Sequence, residues 1–216
     1  MKLLENFYEK VNGSYLILVT AIISLTFTLI SVILFVSINP AFSFFINWLP
    51  TPGDTTPVIV STVFNTGVLV MCPLMILIHL YIFMYLKEKG CKDNLVRLSL
   101  LFGLMSSIGE LILGLIPNNV SSDIHTVAAL FFFIGAACYG ISYGITELKS
   151  NTLPRYLGYS GFIMSAPFLI FSSSLFIITI FPSLTYNPAI WEWLSYFSII
   201  GWAIIHGIFM YKETIV

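Results

Sequence analysis

Apolar residues in this chain come in long runs, broken by single polar positions or by short polar clusters such as Ser172-Ser173-Ser174. Neither the three-to-four-residue spacing of a soluble amphipathic helix nor the alternation of a half-buried strand organises them. Six runs stand out, at about 14–38, 58–86, 95–116, 124–146, 157–181 and 190–211. Each has the ~20 residues that a helix needs to cross a hydrocarbon core of ~30 Å. Proline, asparagine, glycine and charge clusters separate them, as turn chemistry requires. The pattern predicts an all-α polytopic membrane protein: six transmembrane helices in one bundle, forming a single domain over 1–216. The first run, at ~25 residues, exceeds the ~7–15 residues of a signal peptide's apolar segment, so it is expected to remain as a span.

Charge orients the bundle. Under this assignment all nine Lys and Arg fall on one side: Lys2 and Lys10; Lys87, Lys89, Lys92 and Arg97; Lys149 and Arg155; and Lys212. The opposite loops, 39–57, 117–123 and 182–189, carry none. The positive-inside rule then places both termini in the cytoplasm, for a multi-pass protein of the cell (plasma or inner) membrane. Trp48, Trp191 and Trp193 fall at the outer boundary and Tyr85, Tyr156 and Tyr211 at the inner one, where amphipathic rings favour the headgroup layer. In the long first outer loop, Ala41 to Leu49 reads AFSFFINWL, too short to span. A short interfacial helix or re-entrant segment is expected there, ending at the breaker-rich Pro50–Asp54.

Composition narrows the functions. The chain is 58% hydrophobic and 9% charged, against about 25% charged in soluble domains, and its mean hydropathy is +0.96. No soluble domain is predicted. A net charge of −1 offers no basic field for nucleic acid. Membrane lipids and other integral membrane proteins are the partners within reach. Cys72, Cys91 and Cys138 show no paired spacing, so neither a disulfide nor a structural zinc is expected. HExxH, GxSxG and paired-histidine motifs are absent, and no cofactor is predicted.

Polar residues within the spans are costly and invite a functional reading. Gly103, Ser107, Glu110 and Gly114 share one face of the third span. Glu110 lies roughly 10 Å below the outer end, and Asn65 of the second span lies at similar depth. Asn65 is therefore the expected hydrogen-bond partner of Glu110, in a structural contact or in a proton-handling or catalytic one. Asp54, Asp123, His125 and Glu192 gather at the outer face. In a lipid-processing enzyme Glu110 and His125 would act as acid and base, with Asp123 orienting and Asn65 positioning; alternatively Asp123 is a helix N-cap. His79 and His206 lie at comparable depth on the second and sixth spans, an arrangement that could ligate a b-type haem or could serve helix packing. Ala136, Gly140 and Gly144 form a small-residue ridge, and Pro73 and Pro167 should kink their helices.

Several landmarks follow one another in a familiar order. After the aromatic loop and its Pro-Gly-Asp turn come Val63-Phe64-Asn65-Thr66-Gly67, then Gly109-Glu110, Gly114-Leu115-Ile116-Pro117, His125 and Phe131-Phe132-Phe133. This series resembles the prokaryotic six-helix membrane family labelled domain of unknown function 998, itself distantly similar to the Frag/DRAM/Sfk membrane proteins. The resemblance implies a six-helix bundle, with Asn65, Gly67, Gly114, Pro117 and His125 at recurrent positions, and implies no reaction. Alkaline ceramidase-like hydrolases are similar in helix number, but this chain has only His125 on the outer side, where they use several histidines. The sequence therefore favours a non-catalytic accessory or structural subunit, or a lipid-associated scaffold. The alternatives are a lipid-processing enzyme, a small proton-coupled transporter built on Glu110, and a haem protein.

Overall fold

The structure, a computed structural model, describes every residue except Met1, Thr56, Pro182, Leu184, Thr185 and Val216. It contains α1 (Lys2–Tyr8), α2 (Gly13–Ile38), α3 (Val58–Glu88), α4 (Asp93–Leu115), α5 (Ser122–Leu148), α6 (Arg155–Ile180) and α7 (Ala189–Ile215), with one 3₁₀ turn at Thr51–Asp54. Among the described residues there is no strand. The helices α2 to α7 are each long and apolar enough to cross a membrane, and they coincide with the six predicted runs to within a few residues.

Helix ends follow local chemistry. Asn12 caps α2, its side-chain oxygen accepting from Ser14 N at 2.9 Å. At the end of α3, Gly90 takes φ +72°, while Cys91 N donates to Leu86 O and Gly90 N to Lys87 O, both at 3.0 Å. This six-to-one and five-to-two pair closes the helix, and only glycine enters that left-handed conformation without a Cβ penalty. Asp93 opens α4 and bridges Lys87 at 3.2 Å and Arg97 at 2.6 Å. Helix α3, with 31 residues, is ~46 Å long and overshoots a ~30 Å core. Pro73 and Pro167 lie inside α3 and α6, which stay continuous through them.

Each long helix packs on its chain neighbours, and α7 returns to α2, so the six close into a ring. Helix association within a bilayer gains little from the hydrophobic effect and depends on close packing, which small residues permit. The predicted ridge does this on α5: a Cβ on Gly140 or Gly144 would stand 2.7 or 2.6 Å from the carbonyl oxygens of Gly161 or Gly158 on α6. Toward α4, a Cβ on Gly109 would stand 2.5 Å from Phe132 N, and one on Gly135 would stand 2.7 Å from Ser106 N. The interior is aromatic, with Tyr139, Tyr143, Phe168, Trp193 and Trp202 almost fully buried, while Ile22, Ile33, Leu101, Ile163 and Phe176 point outward.

Two features lie outside the six long helices. Ala41 to Leu49 alternates turns with irregular backbone, and a short helical turn follows at Thr51–Asp54. Backbone groups a helix would use internally are instead taken by side chains from the far end of the chain. Trp193 Nε1 donates to Asn47 O at 2.8 Å, Asn187 Nδ2 to Ile46 O at 3.0 Å, and Leu49 N to Glu192 Oε2 at 2.8 Å. The additional helix, α1, docks on α3: Tyr8 donates to Leu77 O at 2.5 Å, with its ring 5.3 Å from that of Tyr81.

Candidate functional site

The 51–54 turn and five of the helices enclose a cavity of about 110 Å³ at the loop end opposite the lysines and arginines. Helix α2 contributes Ser24, Phe27 and Thr28, α3 Asn65 and Met71, α4 Glu110, α5 His125, Phe132 and Phe133, and α7 Glu192 and Tyr196. Asp54 and Gly53 come from the 3₁₀ turn. A smaller cavity of about 50 Å³ shares Ser24, Met71, Glu110, Phe132 and Tyr196 with the first and continues to His79 and Trp202.

Close backbone approaches shape the larger cavity. A Cβ on Gly67 would lie 2.6 Å from Phe27 Cβ, which fixes α2 against α3. A Cβ on Gly53 would lie 2.7 Å from Asn65 Oδ1, so the turn rests directly on α3. Asn65 Nδ2 donates to Gly53 O at 3.1 Å. The expected Asn65–Glu110 hydrogen bond does not form: the amide is committed to the turn, although both residues face the same cavity. Glu110 is half-buried, and among the described residues its carboxyl has no hydrogen-bond partner.

The remaining polar groups are held individually. Glu192 is buried and accepts from Leu49 N at 2.8 Å. His125 Nδ1 lies 3.1 Å from Ile116 O. A carbonyl only accepts, so Nδ1 carries the hydrogen. Asp54 Oδ1 is 3.5 Å from Asn119 N, joining the loops that precede α3 and α5. Ser24 Oγ and Tyr196 OH share a hydrogen bond at 3.0 Å across α2 and α7. Asp123 is exposed in the first turn of α5 and is not part of the cavity wall; Ser121 occupies the N-cap position. The orienting role expected of Asp123 thus has no geometric basis here.

The two deep histidines do not face each other. His79 packs on Tyr139 at 4.6 Å between ring centroids, Tyr139 on Trp202 at 5.4 Å, and Trp202 on His206 at 4.4 Å. Both His206 nitrogens are engaged, Nδ1 with Trp202 O at 2.9 Å and Nε2 with Glu147 Oε1 at 3.0 Å. A haem ligated by both residues needs an open slot and a free ring nitrogen on each; these residues do not fit one. Among the described residues no group of three or more His, Cys, Asp or Glu is placed to hold a metal ion.

Sequence reasoning missed Glu147. Lying two residues before Lys149, it reads as part of a solvated helix end, yet it is completely buried. The signal was the spacing along α5, where Tyr139, Tyr143 and Glu147 recur every four residues on one face. No family model, curated protein or solved structure matches the chain.

Proposed function

We propose that this multi-pass protein holds an amphiphilic small molecule, with a membrane lipid as the class best suited to its walls, in the cavity around Glu110. One observation carries the reading: the Glu110 carboxyl, without a hydrogen-bond partner among the described residues, stands at the wall of a largely apolar cavity. Ligand sites commonly combine apolar walls with a few polar groups that orient the ligand. Asp54, Glu110 and Glu192 contribute acid groups, and no Lys or Arg lines the space. That balance favours a hydroxyl or amine headgroup and disfavours an anionic one. The protein is then a lipid-associated, non-catalytic component of the cell membrane, with its basic loops and both termini cytoplasmic and the cavity toward the outer leaflet.

The test is mass spectrometry of lipids retained by gently purified protein, comparing wild type with Glu110→Leu. A neutral or amine-headed amphiphile enriched over bulk lipid in wild type, and lost from the variant, is the expected result. Retained lipid matching bulk composition in both proteins refutes the proposal. A lipid-processing activity is the second reading, supported by Glu110 and His125 lining one cavity. If turnover of the retained amphiphile survives both Glu110→Gln and His125→Ala, that reading fails.

A further inference from the structure

A second polar cluster lies buried at the basic end of the bundle. Glu147, at the end of α5, and His206 of α7 are both 0% exposed, with Glu147 Oε1 3.0 Å from His206 Nε2. His206 Nδ1 lies 2.9 Å from Trp202 O, and a carbonyl oxygen can only accept, so Nδ1 carries a hydrogen. The Oε1–Nε2 contact then requires one more hydrogen. Either Glu147 is a carboxylic acid donating to bare Nε2, or an imidazolium donates to a carboxylate. In both cases the pair holds one proton and has no net charge. Removing it would leave lone pairs opposed and a carboxylate uncompensated in an apolar interior, a state strongly disfavoured by desolvation.

The surroundings suit proton traffic better than a closed structural contact. Glu147 Oε2 and the hydroxyls of Tyr139 and Tyr143 are buried without hydrogen-bond partners, although the Tyr143 hydroxyl is close enough to the carboxyl to interact with it. The titratable groups in electrostatic range of Glu147 are His206 from α7, Tyr85 from α3, Cys91 from the turn before α4, and Tyr139 and Tyr143 of α5 itself. Toward solvent, Tyr85 donates to Glu213 Oε2 at 2.5 Å, and Lys89 Nζ lies 2.7 Å from the same partly exposed carboxylate. Away from solvent, the Tyr139 ring packs on His79 at the foot of the inner cavity, where the Tyr139 hydroxyl and His79 Nδ1 are buried without a hydrogen-bond partner among the described residues; that cavity shares Glu110 with the outer one.

We propose that the Glu147–His206 pair is a proton-binding site, on a route that passes protons between the outer cavity and the basic end of the bundle. A proton taken up at Glu147 Oε2 forms an O–H bond, the shared hydrogen leaves Oε1 for His206 Nε2 if it is not already there, and a carboxylic acid then faces an imidazolium. Release of one proton restores the neutral pair. Tyr143 gives its hydroxyl hydrogen to Oε2 and accepts another in its place, so a proton is the only species moved and no redox partner is required. Chains of carboxyl and histidine groups within membrane helices serve as proton relays on this principle.

The test uses the full chain in lipid vesicles enclosing a pH-sensitive dye, with an acid step applied outside. Glu147→Gln keeps side-chain length and offers an N–H to His206 Nε2, but cannot take up the proton. Wild-type vesicles should equilibrate faster than protein-free vesicles, and Glu147→Gln vesicles should match the protein-free rate. A wild-type rate equal to that of protein-free vesicles, or a variant rate equal to wild type, overturns the proposal. Should the variant not fold, nitrogen-15 spectra of histidine-labelled wild type decide, between about pH 5 and about pH 8. His206 is identified as the ring with both nitrogens hydrogen-bonded. A carbon-13 label on the Glu147 carboxyl is read beside the ring: gain of one proton by the pair within that range, on the His206 ring or on the carboxyl, supports the site, and a pair invariant at both overturns it.

Discussion

Replacing Gly109 with alanine tests how the bundle is held together. The new methyl would lie 2.5 Å from Phe132 N and 2.7 Å from Ala128 O, both backbone atoms of α5. Ordinary contact begins at 3.4 Å, so the shortfall is about 0.9 Å, and no rotamer change can supply it. Helices α4 and α5 must separate, loosening a contact that also includes Gly135 against Ser106. Overpacking of this kind costs about 1–3 kcal/mol, which for a chain of this size lowers the melting temperature by about 2–4 °C per kcal/mol. Gly201→Ala is the matched control, because nothing lies within 4 Å of the added atom. Glycine in a helix interior is about 1 kcal/mol worse than alanine, so this variant should hold or gain stability. Both can be measured by thermal unfolding of the purified protein with monodispersity checked by size exclusion. If Gly109→Ala melts with wild type, or Gly201→Ala falls as far as Gly109→Ala, backbone contact does not hold α4 to α5.

Asn65→Ala removes the amide that holds the 51–54 turn and should cost about 1 kcal/mol in the same melting assay, with faster proteolysis of the loop between α2 and α3. Glu192→Ala leaves the half-buried Leu49 N without its acceptor, at about 1 kcal/mol, whereas Glu192→Gln retains an acceptor oxygen and should melt close to wild type. A cysteine placed at Val120, in the loop between α4 and α5, should react with a membrane-impermeant maleimide on intact cells, and one placed at Lys149 should not; the reverse pattern would invert the proposed orientation. Burial, and then the neighbouring Tyr81, push the Tyr8 hydroxyl up to about 12 from 10.0. The folded protein therefore keeps this proton more tightly than the unfolded chain, and docking of α1 should weaken as pH rises from about 10 to about 12. Tyr8→Phe should abolish that dependence, read as protease sensitivity of the N-terminal segment.

The six spans were legible because a bilayer demands ~20 apolar residues per crossing, a requirement that composition alone expresses. Glu110, Asn65 and His125 were legible as co-lining residues because depth along a helix follows from residue count. Hydrogen-bond partners were not. Asn65 turned to Gly53 O because glycine lets the turn approach closely, and no depth argument anticipates a loop folding back onto α3. The turns at Ala41–Leu49 depend on Trp193, Asn187 and Glu192, well over a hundred positions away, so local hydropathy carried no trace of them. Glu147 was hidden by proximity to Lys149: where charge marks the end of a span, a carboxyl facing inward looks the same as one facing water.

The glycine contacts also divide the bundle mechanically. Where α4, α5 and α6 meet backbone to backbone, at Gly109, Gly135, Gly140, Gly144, Gly158 and Gly161, few side chains intervene that could change rotamer. That half behaves as a fixed plate. The opposite walls of the outer cavity carry Phe27, Met71 and Tyr196, long side chains able to swing aside. Any swelling of the cavity to admit a guest must therefore be absorbed by α2, α3 and α7, and the seam between α2 and α7, latched by Ser24 and Tyr196, is where a sideways doorway into the bilayer would part.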